Sequence, residues 1–330
     1  MKRGKWWIYT ILILVIIYLI GPRPSRPVYD KALPEVPQAP ALETFIKNNE
    51  STHKLRPDNE ARIVWANDST KEVTEFAILY LHGFSASQGE GDPIHKTIAK
   101  KYGCNLYLSR LSEHGIDTTE KLVNLTADKL WESSKEAYSI ASRLGKKVIV
   151  MGTSTGASLA LMLAADYPQI HSLILLSPNI KIFDSNAWIL NNPWGLQLAR
   201  MINGSDYITS ADTRPLYKQY WSYGYRLEAV VALEEMLESS MNADVFKKVT
   251  QPTLMLYYYR DSVYQDSVVQ VGAMLEMFKE LGTPANQKRS VPIPNAGDHV
   301  IGSPIKSHDV GSVEREIEKF IDEVLQIKKL

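Results

Sequence analysis

The stretch Lys146 to Ala165, KKVIVMGTSTGASLALMLAA, leaves this chain the fewest ways to fold. Its β-branched run Val148, Ile149, Val150 reads as a buried strand, and the alanine- and leucine-rich part from Ala157 as a helix packed against it. Gly152-Thr153-Ser154-Thr155-Gly156 must turn the backbone from one to the other within a few residues, so the flanking positions have to be small. The turn pushes Ser154 into the open. A base and a substrate can reach its hydroxyl there, while the first N–H groups of the following helix face an oxyanion forming on an attacked carbonyl. A bare GxSxG is otherwise a plain loop; the strand before it and the helix after it supply the context the motif needs.

Around this segment strands and helices alternate. FAILYLHGF reads as a buried strand, PIHKTIAKKYG as a helix closed by Gly103, CNLYLSRL as a strand, and LTADKLWESSKEAYSIASRLG as a long helix with Gly145 at its end. HSLILLSP is a further strand after the GTSTG helix. This order predicts an α/β fold with a mostly parallel sheet covered on both faces. Residues 179–250 break the rhythm: they are rich in tryptophan and tyrosine, carry helical pieces such as RLEAVVALEEMLESSM, and offer no core strand, so they read as a helical cap inserted over the site. PTLMLYYY resumes the sheet, followed by the helix DSVVQVGAMLEMFKELG, the last strand KRSVPIPNAG and a closing amphipathic helix. The 330 residues suffice for one large domain over 42–330.

Lysine plus arginine equals aspartate plus glutamate at 37 each, so the charge gives no reason to expect nucleic acid as a partner. The lone Cys104 lies in an apolar run and can form neither an intrachain disulfide nor a cysteine metal cluster. At the N-terminus Lys2, Arg3 and Lys5 precede an apolar run from Trp6 to Ile20, ended by Gly21-Pro22. At 1.5 Å per residue this run spans about 22 Å, against about 30 Å for a bilayer core, which suits a secretory signal or a thin anchor. With no small-x-small cleavage site after it, residues 1–21 read as an uncleaved single-pass membrane anchor with the catalytic domain on the extracytoplasmic side. Residues 22–41, proline-rich, read as a solvated linker.

Ser154 needs a base, and the base an orienting acid. His299, in Gly297-Asp298-His299, stands in the loop after the final strand, with Val300 and Ile301 to anchor it. Two aspartates follow PTLMLYYY: Asp261 directly after it, and Asp266 five residues later. Both are followed by Ser and Val; Asp266 is preferred because it leaves a helix of regular length before Gly282. One oxyanion donor would be the Thr155 N–H, the other the Phe84 N–H in Leu81-His82-Gly83-Phe84, where Gly83 allows close approach and the Phe84 ring walls the pocket. His82 reads as a hydrogen-bonding residue of that turn. With His95 and His114 it forms no cluster of acids and histidines at ligand spacing, so no metal is expected.

The HGF loop, the GTSTG elbow, the QDSVV aspartate and the AGDH histidine, in that order over Phe76 to Leu330, resemble the α/β-hydrolase superfamily, nearest its serine carboxylesterase, monoacylglycerol-lipase and lysophospholipase-like branch. SRLSEHGID resembles the family segment ending in GHG, with Glu113 in place of the first glycine, and Thr153 and Thr155 occupy elbow positions where the family often has His, Tyr or Gln. The resemblance implies ester hydrolysis through an acyl-enzyme and no cofactor. The expected substrate is a small-molecule or lipid ester. An acyltransferase using the same intermediate, or a non-turnover binding protein of hydrolase fold, are the rival readings.

Overall fold

The computed structural model describes residues 6–330. Its strands are β1 (Arg62–Val64), β2 (Thr74–Leu81), β3 (Asn105–Leu108), β4 (Gly145–Thr153), β5 (Ser172–Leu176), β6 (Tyr207–Thr209), β7 (Gly224–Arg226), β8 (Thr253–Tyr257) and β9 (Lys288–Pro292). The helices are α1 (Trp6–Leu19), α2 (Ala39–Glu50), α3 (Ile94–Lys101), α4 (Ala127–Ala141), α5 (Thr155–Asp166), α6 (Gly195–Asn203), α7 (Pro215–Tyr220), α8 (Leu227–Ser240), α9 (Ala243–Phe246), α10 (Val271–Glu280) and α11 (Val310–Phe320).

Seven strands form one sheet in the order β1-β3-β2-β4-β5-β8-β9, with β1 antiparallel to β3 and every other pair parallel. The uninterrupted apolar strands are explained by burial on both faces. Leu79 and Leu81 of β2 face a core shared with α4, α5 and α8, while Ile78 and Tyr80, one residue out of phase, face a second core with α3 and α11. Helix α5 lies against the middle of the sheet and is buried from Thr155 to Ala164. Gly145, expected to end a helix, instead opens β4, and α4 closes at Ser142. The added Cβ at that glycine would lie 2.4 Å from the Ala77 nitrogen, so close strand pairing is what keeps the position small. Between β5 and β8 the chain forms helices α6 to α9 and a two-stranded antiparallel sheet, β6 with β7, at the mouth of the molecule.

The N-terminal expectations are overturned. The apolar run forms α1, a helix of 14 residues, and among the described residues no helix is long and apolar enough to cross a membrane. At 1.5 Å per residue it reaches about 21 Å, well short of a bilayer core. The single-pass anchor, the membrane partner and the extracytoplasmic placement derived from it therefore fall; Lys2, Arg3 and Lys5 lie outside the described residues. Nor is the proline-rich segment a free spacer. Trp131 Nε1 donates to Asp30 O at 2.7 Å, Lys135 Nζ to Ala32 O at 2.9 Å and the Tyr167 hydroxyl to Lys31 O at 2.9 Å, which seats the segment along α4 and α5. Further up the chain, Trp194 of the inserted region donates its main-chain N–H to Pro22 O and its indole N–H to Ile17 O, both at 2.9 Å.

The tightest point of the fold is where α5 leaves the sheet. A Cβ on Gly156 would stand 2.0 Å from Leu81 O and 2.7 Å from His82 O, both main-chain atoms that cannot move without breaking β2. Gly156→Val is therefore expected to cost at least about 3 kcal/mol of stability, measured by chemical denaturation.

Candidate active site

The carboxyl ends of the parallel strands gather the residues singled out from the sequence. Ser154 sits between β4 and α5 with φ 53° and ψ −117°, a conformation that L-residues avoid and that aims the side chain away from the strand. Its N–H donates to Leu176 O at 2.9 Å and its carbonyl accepts from Ala157, Ser158 and Asn179, so the strained backbone is held on all sides.

His299 and Asp266 meet. Nδ1 of the imidazole donates to Asp266 Oδ2 at 2.6 Å, while Oδ1 of the same carboxylate accepts the N–H groups of Val268 at 2.8 Å and Val269 at 3.1 Å. Asp266 is fully buried. A carboxylate with these three donors holds the ring in the tautomer that leaves Nε2 as an acceptor. Nε2 is buried without a hydrogen-bond partner, and the ring lines the same cavity as Ser154; no hydrogen bond joins it to the serine hydroxyl in this state. Val300 and Ile301 are buried, Val300 lining the same cavity as the ring. Asp261 lies elsewhere: exposed, it accepts the N–H groups of Val263 and Tyr264 and closes a surface turn. Helix α10 begins only at Val271, so Asp266 belongs to a loop, not to the helix start expected for it.

The loop after β2 is braced by groups whose roles the sequence only half discloses. His82 Nδ1 donates to Gly83 O at 2.9 Å and its Nε2 accepts the Leu111 N–H at 3.0 Å; His114 Nδ1 donates to Ser112 O at 2.8 Å and its Nε2 accepts the Ser85 N–H at 3.1 Å. Both rings must be neutral to do this, and burial pushes His82 well below the usual histidine range and His114 down to about 4. Glu113 adopts φ 65°, so the left-handed backbone that a glycine would supply is kept, and its carboxylate pairs with Lys129 at 3.2 Å. The N–H groups of Phe84 and Thr155 have no acceptor among the described residues. Two residues went unnoticed in the sequence. Glu90, from SQGEGDP, is buried with its Oε2 accepting the Gly83 N–H at 2.5 Å, and Asn179 carries a buried amide oxygen without a partner. Neither has a motif around it; glycines on both sides of Glu90 are the one sign that the chain there is tightly packed.

These groups face a cavity of about 760 Å³ whose far wall comes from the region between β5 and β8, through Tyr217, Trp221, Tyr225 and Leu233. Phe84 stands edge-on to Tyr225, with ring centroids 5.2 Å apart. Of the other aromatics in the inserted region, Trp194 holds the N-terminal segment and Tyr220 donates its hydroxyl to Asp58.

Burial works against a charged His299 ring, but the Asp266 carboxylate in contact with it, helped by Asp298, outweighs burial and holds the imidazole above its ordinary pKa. A raised pKa means that the ring's contribution to stability is complete below about pH 6.5 and is lost as pH rises through the folded value. Asp266→Asn is expected to lower the His299 pKa by about one to three pH units and to flatten that slope, read by NMR titration of the imidazole and by unfolding at each pH.

No protein-family model and no curated protein matches the chain. Solved structures do. A lipolytic enzyme from the metagenome-derived LipS and LipT pair is 15% identical with a TM-score of 0.64, covering 82% of this chain and 100% of its own. The monoacylglycerol lipase of Paleococcus ferrophilus is 14% identical with a TM-score of 0.57, covering 79% and 97%. Est1E of Butyrivibrio proteoclasticus, solved with ferulic acid bound, is 17% identical with a TM-score of 0.54, covering 81% and 95%. At such identities the likeness is one of architecture, and with the sheet order and the strained serine between β4 and α5 it identifies the chain as having the α/β-hydrolase fold.

Proposed function

We propose that this protein is a serine hydrolase of carboxylic esters. The observation that supports it most is the pairing of a strained, cavity-lining Ser154 with a His299 ring whose Nδ1 is committed to Asp266 and whose Nε2 lone pair is left free in the same cavity. In this reading Nε2 takes the Ser154 proton as the hydroxyl oxygen attacks the ester carbonyl, and the N–H groups of Phe84 and Thr155 receive the oxyanion. The protonated ring, stabilised by Asp266, gives its proton to the departing alcohol; water then enters, loses a proton to Nε2 and releases the acid from Ser154. Asp261 has no part in this, and no cofactor is required. Residues 42–330 are the catalytic unit, with 179–250 as a cap whose aromatic face closes the cavity.

The reason for expecting a membrane lipid substrate falls with the anchor. What remains is the cavity, whose volume admits a drug-sized ester and an aromatic or aliphatic acyl group alike. Solved structures of the same fold include a monoacylglycerol lipase and an esterase with ferulic acid bound, and esters of those two kinds are the first to try.

A fluorophosphonate probe should label wild type and fail on Ser154→Ala; labelling that survives the substitution would remove Ser154 as nucleophile. With p-nitrophenyl esters of graded chain length, Asp266→Asn is expected to lower kcat on the order of 10⁴-fold, whereas Asp261→Asn stays within about twofold of wild type. The reverse result would transfer the acid role to the surface turn.

A further inference from the structure

Glu90 is the one buried acid at the candidate site that the reaction just described leaves idle. Its side chain comes from the short segment after the oxyanion loop and reaches back under it: Oε2 accepts the Gly83 N–H, and a Cβ on Gly83 would lie 2.8 Å from Oε1 and 3.1 Å from the Ser154 Cβ. The carboxyl is thus wedged beside the nucleophile, against the peptide that precedes the Phe84 N–H. The groups around it are the Tyr80 phenol from β2, the Trp221 indole from the inserted region, and His299 and Asp298 from the loop after β9. Among the described residues no lysine or arginine pairs with it.

A buried carboxylate without a cation is costly, and one placed beside a forming oxyanion opposes the reaction as well. As the neutral acid the same group still offers an acceptor to Gly83 and puts no charge near the carbonyl oxygen. Building on the esterase reading, we propose that Glu90 is a positioning residue of the oxyanion loop, working as the neutral acid: it holds the Gly83 peptide so that the Phe84 N–H faces the cavity. Burial, with a small addition from Asp298 and against the pull of the Gly83 N–H and His299, raises this carboxyl to about 8, which agrees with the geometry. Ionisation above that pH would place a negative charge at the oxyanion and, through His299, raise the affinity of the base for its proton.

The test is the pH dependence of kcat/KM for a p-nitrophenyl ester in wild type, Glu90→Gln and Glu90→Ala. Wild type should show an alkaline fall near pH 8 that Glu90→Gln lacks, while the acid limb stays in place, because a neutral Glu90 puts no charge beside His299 there. Glu90→Ala, which removes the acceptor, should lower kcat by about tenfold or more with little change in KM. A Gln variant whose alkaline limb coincides with that of wild type, or an Ala variant with the wild-type kcat, overturns the proposal. Should wild type cleave no ester at any pH, the esterase reading fails, and Glu90 is then judged on unfolding. A carboxyl kept neutral in the fold stabilises the protein most below its ordinary pKa and loses that contribution as pH rises through about 8, so wild type should lose stability relative to Glu90→Gln between pH 5 and 8. A stability difference that stays flat over this range overturns the proposal equally.

Discussion

Main-chain contact between the first turn of α5 and the end of β2 is the constraint on which the rest of the structure depends. Gly156 lies against the carbonyl oxygens of Leu81 and His82, closer than any side chain would permit. That approach brings the helix start, Ser154 and the loop carrying Gly83 and Phe84 into one small volume. Had the helix been displaced by the width of a methyl group, Ser154 would no longer lie beside the Gly83 peptide. The left-handed backbone at Ser154 follows from the same requirement, because a strand that must become a helix against a neighbouring strand has no room for a gradual turn.

A second layer keeps that volume rigid. His82 and His114, both neutral, tie the loop after β2 to the segment between β3 and α4, so two buried rings act as hydrogen-bonding braces rather than as bases. Charge enters the site through Asp266, which is satisfied by three donors, and the imidazole between it and the cavity is the group placed to change protonation near neutral pH. Such an arrangement separates duties: the burial that keeps His82 and His114 neutral is overridden at His299 by one carboxylate in contact.

Much of this was legible from spacing. The strand, GTSTG and helix order determines where the serine must lie, and alternating β and α segments determine that loops after the strands share one edge of the sheet. Local pattern did not separate Asp261 from Asp266, since both are followed by Ser-Val, and the helix length that favoured Asp266 was not the reason, because α10 starts at Val271; what separates them is that the chain folds back at residues 260–264 into a turn that Asp261 itself closes. Glu90 carries no local pattern, because its partner is a main-chain N–H seven residues earlier. At the N-terminus the shortfall in length was legible, but the basic flank and the missing cleavage site pointed to a thin anchor all the same; α1 has 14 residues. The proline-rich segment misled because composition says nothing of partners supplied by distant side chains.

That segment is seated by side chains, Lys31 on Asp166 and Tyr29 on Ser239 and Trp131, and by a row of its own backbone oxygens. The oxygens of Ile17, Pro22, Asp30, Lys31 and Ala32 are the acceptors, and the donors are Trp194, Trp131, Tyr167 and Lys135 in the body of the protein. Since every residue type carries the same carbonyl, the positions held by backbone alone could exchange side chains without unseating the strap, unlike Tyr29 and Lys31. Evolutionary drift would then erase the spelling at those positions while the receiving tryptophans, tyrosine and lysine stayed put, and the record of the attachment would survive in the groove more than in the ribbon that fills it.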